Sequence, residues 1–257
     1  MIAATLSIVL PIWRSDALLA ELVEEYLALV PHFFTDFELV LVDNGNSEAT
    51  SALLNDLVAT HAPVMVVRCG QNEGYGQALA TGMRNARGDY VLATAQESSV
   101  HIGELARFLP YHAQYPVILG YRLAQTNQPF PGEKLATKLV NQLLGLDLHD
   151  LTTQFALFHG DAVRNLTIQT SGILAYPEIY HFARKQSLPT IQVGLQKSSG
   201  SKKPALRWPG YLELAFLRDL GNLSISPSLR PAWLPKVIVG VGLLALVRNT
   251  WRKPNYR

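Results

Sequence analysis

The sequence predicts an α/β fold whose central sheet is mostly parallel, with helices on both faces. Three observations predict it: short apolar runs that end in polar or glycine turns, amphipathic stretches between them, and their regular alternation over residues 1–100. Parallel strands buried on both faces have nearly continuous apolar sequences, and the helices that alternate with them cover the sheet. A chain of 257 residues is long enough for one large domain with an extension.

The N-terminal part contains four predicted strands and three predicted helices. The first apolar run is short and is stopped by Pro11, which is typical of a central parallel strand. Asp16 and Ser47 stand where a side chain caps the helix that follows. The predicted elements are strands at 5–10, 37–42, 64–68 and 90–94, and helices after Asp16, after Ser47 and at 76–85.

The first two helices should each bury one apolar stripe against the sheet. The stripe residues are Leu18, Leu19, Leu22, Val23, Tyr26 and Val30 in the first helix, and Leu53, Leu54, Leu57 and Val58 in the second. Beyond residue 100 the pattern loosens. There we expect helices at 101–108, at 133–144 and after Pro177, strands at 117–120, 155–159 and 190–196, and a polar, mobile loop at 197–203.

Composition excludes several classes of protein. The net charge of +2 is too small for a nucleic-acid footprint, so no nucleic acid partner is expected. Cys69 is the single cysteine, which excludes an intrachain disulfide and a cysteine-rich zinc site. The N-terminus has neither a basic n-region nor a cleavage motif, so we expect an intracellular protein.

The segment 231–257 differs in kind from the rest of the chain. Residues 237–247 are uncharged and lie between Lys236 and Arg248. At about 1.5 Å per residue this run is shorter than the roughly 30 Å hydrocarbon core of a bilayer. Its basic and tryptophan flanks are typical of an interfacial segment, so we expect 233–252 to contact the cytoplasmic membrane surface peripherally. The alternative is a helix packed on the domain or on a second copy of the chain, as in a homo-oligomer.

Several short motifs follow one another in a fixed order. The first four are Leu10-Pro-Ile-Trp13, Val42-Asp43-Asn44-Gly45-Asn46, Asn72-x-Gly74-x-Gly76-x-Ala78 and Ala86-Arg-Gly88-Asp89-Tyr90. The later four are Gly120-Tyr-Arg122, Asp150-Leu-Thr-Thr-Gln-Phe155, Tyr176-Pro-Glu178 and Lys197-Ser-Ser-Gly200-Ser-Lys202. In this order and spacing, over about residues 4–205, the chain resembles the family 2 glycosyltransferases. It is most similar to the branch of dolichyl-phosphate mannosyltransferase and other polyprenyl-phosphate glycosyltransferases.

The resemblance implies a GT-A fold, which is a Rossmann-like α/β arrangement. It implies a domain over 1–230, with a nucleotide-binding half at about 1–100 and an acceptor half at about 101–230, and a helical tail over 231–257. A nucleotide-sugar donor would bind at the carboxyl ends of the first strands, where open parallel sheets bind ligands. The residues implied for the nucleotide are Pro11, Ile12, Trp13, Asp43, Asn44, Asn72, Gly74, Gly76 and Gln77.

The residue types alone leave alternatives open at these positions. Asp43 also suits a turn or a helix cap, and Gly74 and Gly76 also suit a plain turn before a helix. Glu178 suits either an acceptor-side group or the start of a helix.

The chain departs from the family at Ala95-Gln96-Glu97, where the family has Asp-x-Asp. Mg²⁺ or Mn²⁺ in such a site bridges carboxylate and diphosphate oxygens. Glu97 is the one carboxylate left, and the resemblance implies it as metal ligand and catalytic residue, with Arg122 as a catalytic cation. Three alternatives stay open: a weakened metal site, neutralisation by cations without metal, and loss of catalysis.

Basic residues of the acceptor half are the candidates for holding a lipid phosphate. They are Lys134, Lys138, Lys197 and Lys202, to which Ser201 adds a neutral hydroxyl donor, although each basic residue alone also fits a solvated surface. A phosphate acceptor is already an anion, so it needs no general base.

The predicted function is therefore transfer of a sugar from a UDP- or GDP-sugar to a polyprenyl phosphate at the membrane. The alternative is an inactive nucleotide- or partner-binding protein on the same scaffold. Ser15, Ala95 and Gln154 favour that alternative because each replaces a family residue. A nucleotidyltransferase would show a longer glycine-rich loop directly after the first strand, which this sequence lacks.

Overall fold

The computed structural model describes residues 1–13, 18–96, 98–123, 131–172, 174–196 and 219. Seven strands form one sheet in this part of the chain: β1 (Ile2–Ile12), β2 (Phe34–Asn44), β3 (Val64–Cys69), β4 (Tyr90–Thr94), β5 (Val117–Arg122), β6 (Phe155–His159) and β7 (Thr190–Leu195). The helices are α1 (Leu18–Leu29), α2 (Glu48–Thr60), α3 (Tyr75–Asn85), α4 (Pro131–Leu144), α5 (Gly160–Val163) and α6 (Ala175–Lys185), with 3₁₀ turns at Val30–His32 and Ile102–Arg107.

The strand order is β3-β2-β1-β4-β6-β5-β7. β1 pairs in parallel with β2 and β4, β2 with β3, and β5 with β7. β6 runs antiparallel to β4 and β5. The predicted mostly parallel sheet is confirmed. The reversal of β6 was not predicted, because an apolar run of five residues carries no information about its direction.

Helices cover both faces of the sheet, as predicted. Val9 of β1 packs on one face with the cluster that includes α3, α4 and α6, through side chains such as Leu79, Val140 and Ile179. Ile8 and Leu10 point to the other face, whose cluster includes Leu19, Val23 and Tyr26 of α1 and Leu54 and Leu57 of α2. This alternation along a fully buried strand explains the continuous apolar sequence of β1.

Local differences from the sequence predictions have physical reasons. β1 continues through Pro11 to Ile12, because β4 pairs with β1 only as far as Val9 and a missing N–H at Pro11 removes no bond to β4. Leu18 and Val58, which were expected in the buried stripes, are exposed. The predicted helix at 101–108 is a 3₁₀ helix at Ile102–Arg107, capped by the His101 ring nitrogen. α6 begins at Ala175, two residues before Pro177.

The Ser47 cap of α2 is confirmed, since its hydroxyl accepts a hydrogen bond from the Thr50 backbone N–H. Asp16, the loop at 197–203 and the tail at 231–257 lie outside the described residues. Across the described ranges, no helix combines the length and the apolar character that crossing a membrane requires.

Candidate active site

The carboxyl ends of β1, β2 and β3 lie side by side at one edge of the sheet. The register places Ile12 beside Asp43 and Asp43 beside Arg68. Trp13 follows β1 directly and is 55% exposed. The order of strands reverses between β1 and β4, and open α/β sheets bind ligands at such a switch point. This edge is therefore the candidate site.

Asp43 is buried at this edge, with 6% of its side chain exposed. One carboxylate oxygen accepts hydrogen bonds from the backbone N–H and the side-chain amide of Asn46, at 3.1 and 2.7 Å. The other accepts from the Ser51 hydroxyl at 2.9 Å and from the Arg68 guanidinium at 3.2 Å. Burial alone would raise the pKa of Asp43, but the bonds from Asn46 and Ser51 and the charge of Arg68 hold this pKa below its usual value. Asp43 is therefore an ionised anchor for its own turn.

Arg68 is the most exposed of the donors that hold Asp43, with 46% of its side chain exposed. Its second terminal nitrogen donates to the Asn55 side-chain oxygen at 2.6 Å. A guanidinium carries five N–H donors, so Arg68 can bind an incoming oxygen while it keeps its bond to Asp43. Within this group of residues, Arg68 is thus the side chain placed to meet a ligand.

Asn44 connects the end of β2 to the glycine turn before α3. Its amide N–H donates to Asn72 Oδ1 at 3.3 Å, and its own oxygen accepts from the Glu73 backbone N–H at 3.0 Å. Asn72 Oδ1 also accepts from the Gly74 backbone N–H at 3.0 Å. An aspartate at position 44 would have no proton to donate to Asn72. The asparagine at this position thus has a structural role.

Replacing Asn44 with aspartate is expected to lower the free energy of unfolding by about 1 kcal/mol. The new carboxylate would face Asn72 Oδ1, and rotating the Asn72 amide to offer its NH₂ would deprive the Gly74 N–H of its acceptor. Urea unfolding of the wild type and of Asn44→Asp measures the difference in free energy. Asn85→Asp is the control, since its amide also donates a bond, at 2.9 Å to Thr81 O, but on the exposed surface of α3. Equal unfolding midpoints for the two variants would contradict the role of Asn44.

Gly74 and Gly76 lie against the backbone of residues 170–171. At Gly74, whose φ is +87°, a Cβ would lie 2.5 Å from the Ser171 carbonyl oxygen. At Gly76 a Cβ would lie 2.1 Å from the Thr170 carbonyl oxygen, and the Gly76 N–H donates to Ser171 O at 3.1 Å. The close approach that these glycines permit is therefore an approach to another part of the same chain. Their role in nucleotide binding stays a prediction.

The segment at 168–172 is held against the glycine turn by two further side chains. The Gln77 amide donates to Ile168 O at 2.6 Å. The Glu178 carboxylate accepts from the backbone N–H groups of Gln169 and Thr170, at 2.7 and 2.9 Å. The structure thus gives Glu178 a third role, as the anchor of this segment.

Arg122 lies at the carboxyl end of β5 in a nearly buried ion pair with Asp150. Its Nε and one terminal nitrogen donate to the two Asp150 oxygens at 2.7 and 2.9 Å. Asp150, whose side chain is 8% exposed, also accepts from Thr153 Oγ1 and from the Thr152 backbone N–H. Burial alone would raise the pKa of Asp150, but Arg122, Thr153 and Thr152 lower it to about 2. The observed contacts give Arg122 a structural role, and its catalytic role stays a prediction.

The remaining predicted acceptor residues fall into two groups. Lys134 and Lys138 are exposed on α4, one helical turn apart. Lys197, Ser201, Lys202 and Glu97 lie outside the described residues.

Comparison with known proteins identifies the family. Residues 7–167 match the model of glycosyl transferase family 2, which is more than half of the chain. The chain belongs to this family. The resemblance drawn from its short motifs is thereby confirmed.

Curated relatives in family 2 include two bacterial enzymes with the same name, undecaprenyl-phosphate 4-deoxy-4-formamido-L-arabinose transferase. The enzyme of Pectobacterium carotovorum subsp. carotovorum (strain PC1) is 28% identical over 140 residues, which are 54% of this chain and 42% of that protein. The enzyme of Shewanella sediminis (strain HAW-EB3) is 29% identical over 150 residues, 56% of this chain and 45% of that protein. The chain thus spans less than half the length of these relatives.

Solved structures confirm the GT-A fold. Glucosyl-3-phosphoglycerate synthase of Mycobacterium tuberculosis in complex with phosphoglyceric acid has a TM-score of 0.64 at 16% identity, over 88% of this chain and 82% of that one. A mannosyltransferase of Pyrobaculum calidifontis in complex with GDP-Man and Mn²⁺ has a TM-score of 0.59 at 14% identity, over 98% and 77% of the two chains. At these identities the likeness concerns the fold.

The position of the family's Asp-x-Asp motif follows β4 directly. Ala95 is buried there, and its methyl group offers no oxygen to a cation. Within the described ranges, no three His, Cys, Asp or Glu side chains come together as a metal site would require. Glu97, the predicted ligand, lies outside the described residues, so metal binding stays a prediction.

Sequence reasoning did not propose Arg68, Asn46 or Asp150 as site residues, although Asn46 and Asp150 stand in two of the motifs. A signal for Arg68 was present, because it ends the strand predicted at 64–68 beside a strand that ends in Asp43. Opposite charges at the ends of neighbouring parallel strands come within reach of each other. No pattern in the sequence indicated that Arg122 pairs with Asp150, because 28 residues separate them.

Proposed function

We propose that this family 2 chain binds a nucleotide-sugar donor at the carboxyl edge of β1, β2 and β3 and transfers the sugar to a polyprenyl phosphate. The observation that carries the proposal is the pair of Asp43 and Arg68, in which a buried carboxylate positions an exposed guanidinium at the carboxyl ends of β2 and β3. A guanidinium in this position suits phosphate or base oxygens. The acceptor is supported by the relatives, whose names state undecaprenyl phosphate.

The proposed reaction forms a bond between an oxygen of the acceptor phosphate and the anomeric carbon of the sugar. The bond from that carbon to the nucleoside diphosphate breaks, and its electron pair leaves on the diphosphate. The acceptor is an anion, so no side chain has to remove a proton. The charge that develops on the leaving diphosphate needs fixed positive groups. We propose Arg68 for this role, with Lys197 and Lys202 as further cations of the sequence.

Calorimetric titration with UDP, GDP, UDP-glucose and GDP-mannose, each with and without Mn²⁺, tests the donor site. We expect one nucleotide series to bind and Arg68→Gln to weaken its Kd about tenfold, because a charge-assisted hydrogen bond is lost. Arg84→Gln is the matched control, since Arg84 is an exposed arginine near the far end of α3 that bonds only Thr81 Oγ1 among the contacts described for it. An equal loss of nucleotide affinity in the two variants would exclude a specific role for Arg68.

The titration, together with an assay of sugar transfer to undecaprenyl phosphate, separates the transferase from its alternative. If no nucleotide binds, the donor site is refuted. If a nucleotide sugar binds but undecaprenyl phosphate receives no sugar, the chain is an inactive binding protein on a GT-A scaffold. The replacement at Ala95 is the observation that favours this second function. Loss of binding without Mn²⁺ would mean that the nucleotide supplies metal ligands that the described residues lack.

A further inference from the structure

Two buried tyrosine hydroxyls connect the glycine turn, α6 and the end of β4. Tyr75 is the first residue of α3, and its hydroxyl lies 2.8 Å from the hydroxyl of Tyr176 in α6. The Tyr75 hydroxyl also donates to the Thr94 carbonyl oxygen at 3.2 Å. The two rings are tilted with centroids 6.3 Å apart. Three elements that are distant in sequence therefore meet at one point.

The direction of this hydrogen-bond chain follows from counting protons. Burial raises the pKa of both tyrosines far above the ordinary value, so both hydroxyls keep their proton. A phenol has one proton to donate, and that of Tyr75 goes to Thr94. Tyr176 must therefore donate to the Tyr75 oxygen. The chain runs from Tyr176 through Tyr75 to Thr94.

Thr94 is the last residue of β4, and Ala95 and Gln96 follow it. This turn lies across the switch point from the carboxyl end of β1. Ala95 offers a ligand no polar side chain, and backbone contacts hold this turn: the Thr94 carbonyl oxygen accepts from Tyr75, and the Ala95 carbonyl oxygen accepts from the Ser98 N–H at 2.9 Å. On the other side of β4, Thr94 pairs with Phe155 of β6. The hydrogen bond from Tyr75 to the Thr94 carbonyl connects this turn to α3, the helix that begins at the candidate donor site.

We propose that Tyr75 is a positioning residue for the donor site, which fixes the turn after β4, and that Tyr176 orients Tyr75. The proposal rests on the proposed function, because it assumes that a donor sugar or diphosphate meets this turn. Tyr75 acts through the Thr94 backbone and does not touch the substrate. Removing the Tyr75 hydroxyl should make the turn more mobile and raise the KM for the donor. The KM for the acceptor should stay unchanged.

The test compares Tyr75→Phe, Tyr176→Phe and Tyr180→Phe in the full chain. Tyr180 is the control because it is also a buried tyrosine of α6, but its hydroxyl donates to Asp147 at 2.7 Å, away from the turn. Amide hydrogen exchange of residues 94–98 measures the turn without any ligand. Initial rates with UDP-glucose or GDP-mannose and micellar undecaprenyl phosphate give the KM of each substrate.

For Tyr75→Phe we expect faster exchange at 95–98 and a donor KM raised about five- to tenfold, with an unchanged acceptor KM. Tyr176→Phe should have a smaller effect, because the bond from Tyr75 to Thr94 remains. A purely structural role would lower the amount of active enzyme and leave both KM values unchanged, which would overturn the proposal. Unchanged exchange would overturn it as well. If the wild-type chain transfers no sugar, the proposed function fails separately, and the exchange comparison still decides whether Tyr75 holds the turn.

Discussion

Asp150→Ala is expected to lower the free energy of unfolding by about 3–5 kcal/mol, the largest single effect that the structure predicts. The substitution removes the acceptor for three N–H groups of Arg122 and for donors on Thr152 and Thr153. It also leaves the half-buried Arg122 without its counter-charge. Removing one partner of a buried pair costs more than the pair contributes, because the remaining charge is left desolvated.

Chemical denaturation measures this effect, and Asp161→Ala is the matched control. Asp161 forms an ion pair of similar length, 2.6 Å, with Arg164, but 97% of its side chain is exposed. Exposed pairs contribute little because water screens them. We therefore expect Asp161→Ala to unfold like the wild type. A similar loss of unfolding free energy in the two variants would mean that the burial of Asp150 does not determine how much it stabilises the fold.

The same pair predicts a dependence of stability on pH. The pKa of Asp150 is lowered to about 2 in the folded chain, from an ordinary value of about 4 when unfolded. A lowered pKa means that the folded state favours the ionised form, so the stabilisation is complete above about pH 4 and is lost as the pH falls towards about 2. The difference in unfolding free energy between wild type and Asp150→Ala should shrink over this interval. A difference that stays constant would contradict an ionised Asp150.

The sequence predicts strands and helices well where local pattern decides them. The bounds of β4 and β6 agree with the predicted 90–94 and 155–159, because each is a buried run between polar or glycine turns. The predicted end of β1 was wrong, because Pro11 and Ile12 stay in register with Val42 and Asp43 of β2 although the pairing with β4 ends at Val9. The direction of β6 was not predictable, since it depends on where α4 returns the chain to the sheet.

The sequence grouped residues that the structure brings together, but it did not predict their contacts, and their role in binding stays a prediction. Asp43, Asn44 and Asn72 do lie together at the carboxyl edge, as the motifs implied. Their partners come from tertiary packing, which local periodicity does not encode. The bond between Tyr75 and Tyr176 spans 101 residues, and that between Gln77 and Ile168 spans 91.

Gly76→Ala has the second largest expected effect, a loss of about 3 kcal/mol of unfolding free energy. A Cβ at this position would lie 2.1 Å from the carbonyl oxygen and 3.0 Å from the carbonyl carbon of Thr170. Both are backbone atoms, and the Glu178 carboxylate holds the Thr170 N–H at 2.9 Å, so the segment cannot move aside without losing bonds. Alanine is favoured over glycine inside a helix by about 1 kcal/mol, which offsets only part of this cost.

Gly70→Ala is the control for this substitution, because Gly70 precedes the same glycine turn and a Cβ there meets no atom within 4 Å. Thermal unfolding and nucleotide affinity, measured on both variants, separate two reasons for a glycine at position 76. If Gly76→Ala loses stability, the glycine is needed because the Thr170 backbone packs on α3. If it keeps wild-type stability but loses nucleotide affinity, the glycine is needed because the donor approaches the helix, as the family resemblance implies. A Gly76→Ala variant that matches Gly70→Ala in both measurements would refute both reasons, since neither close approach would then require a glycine.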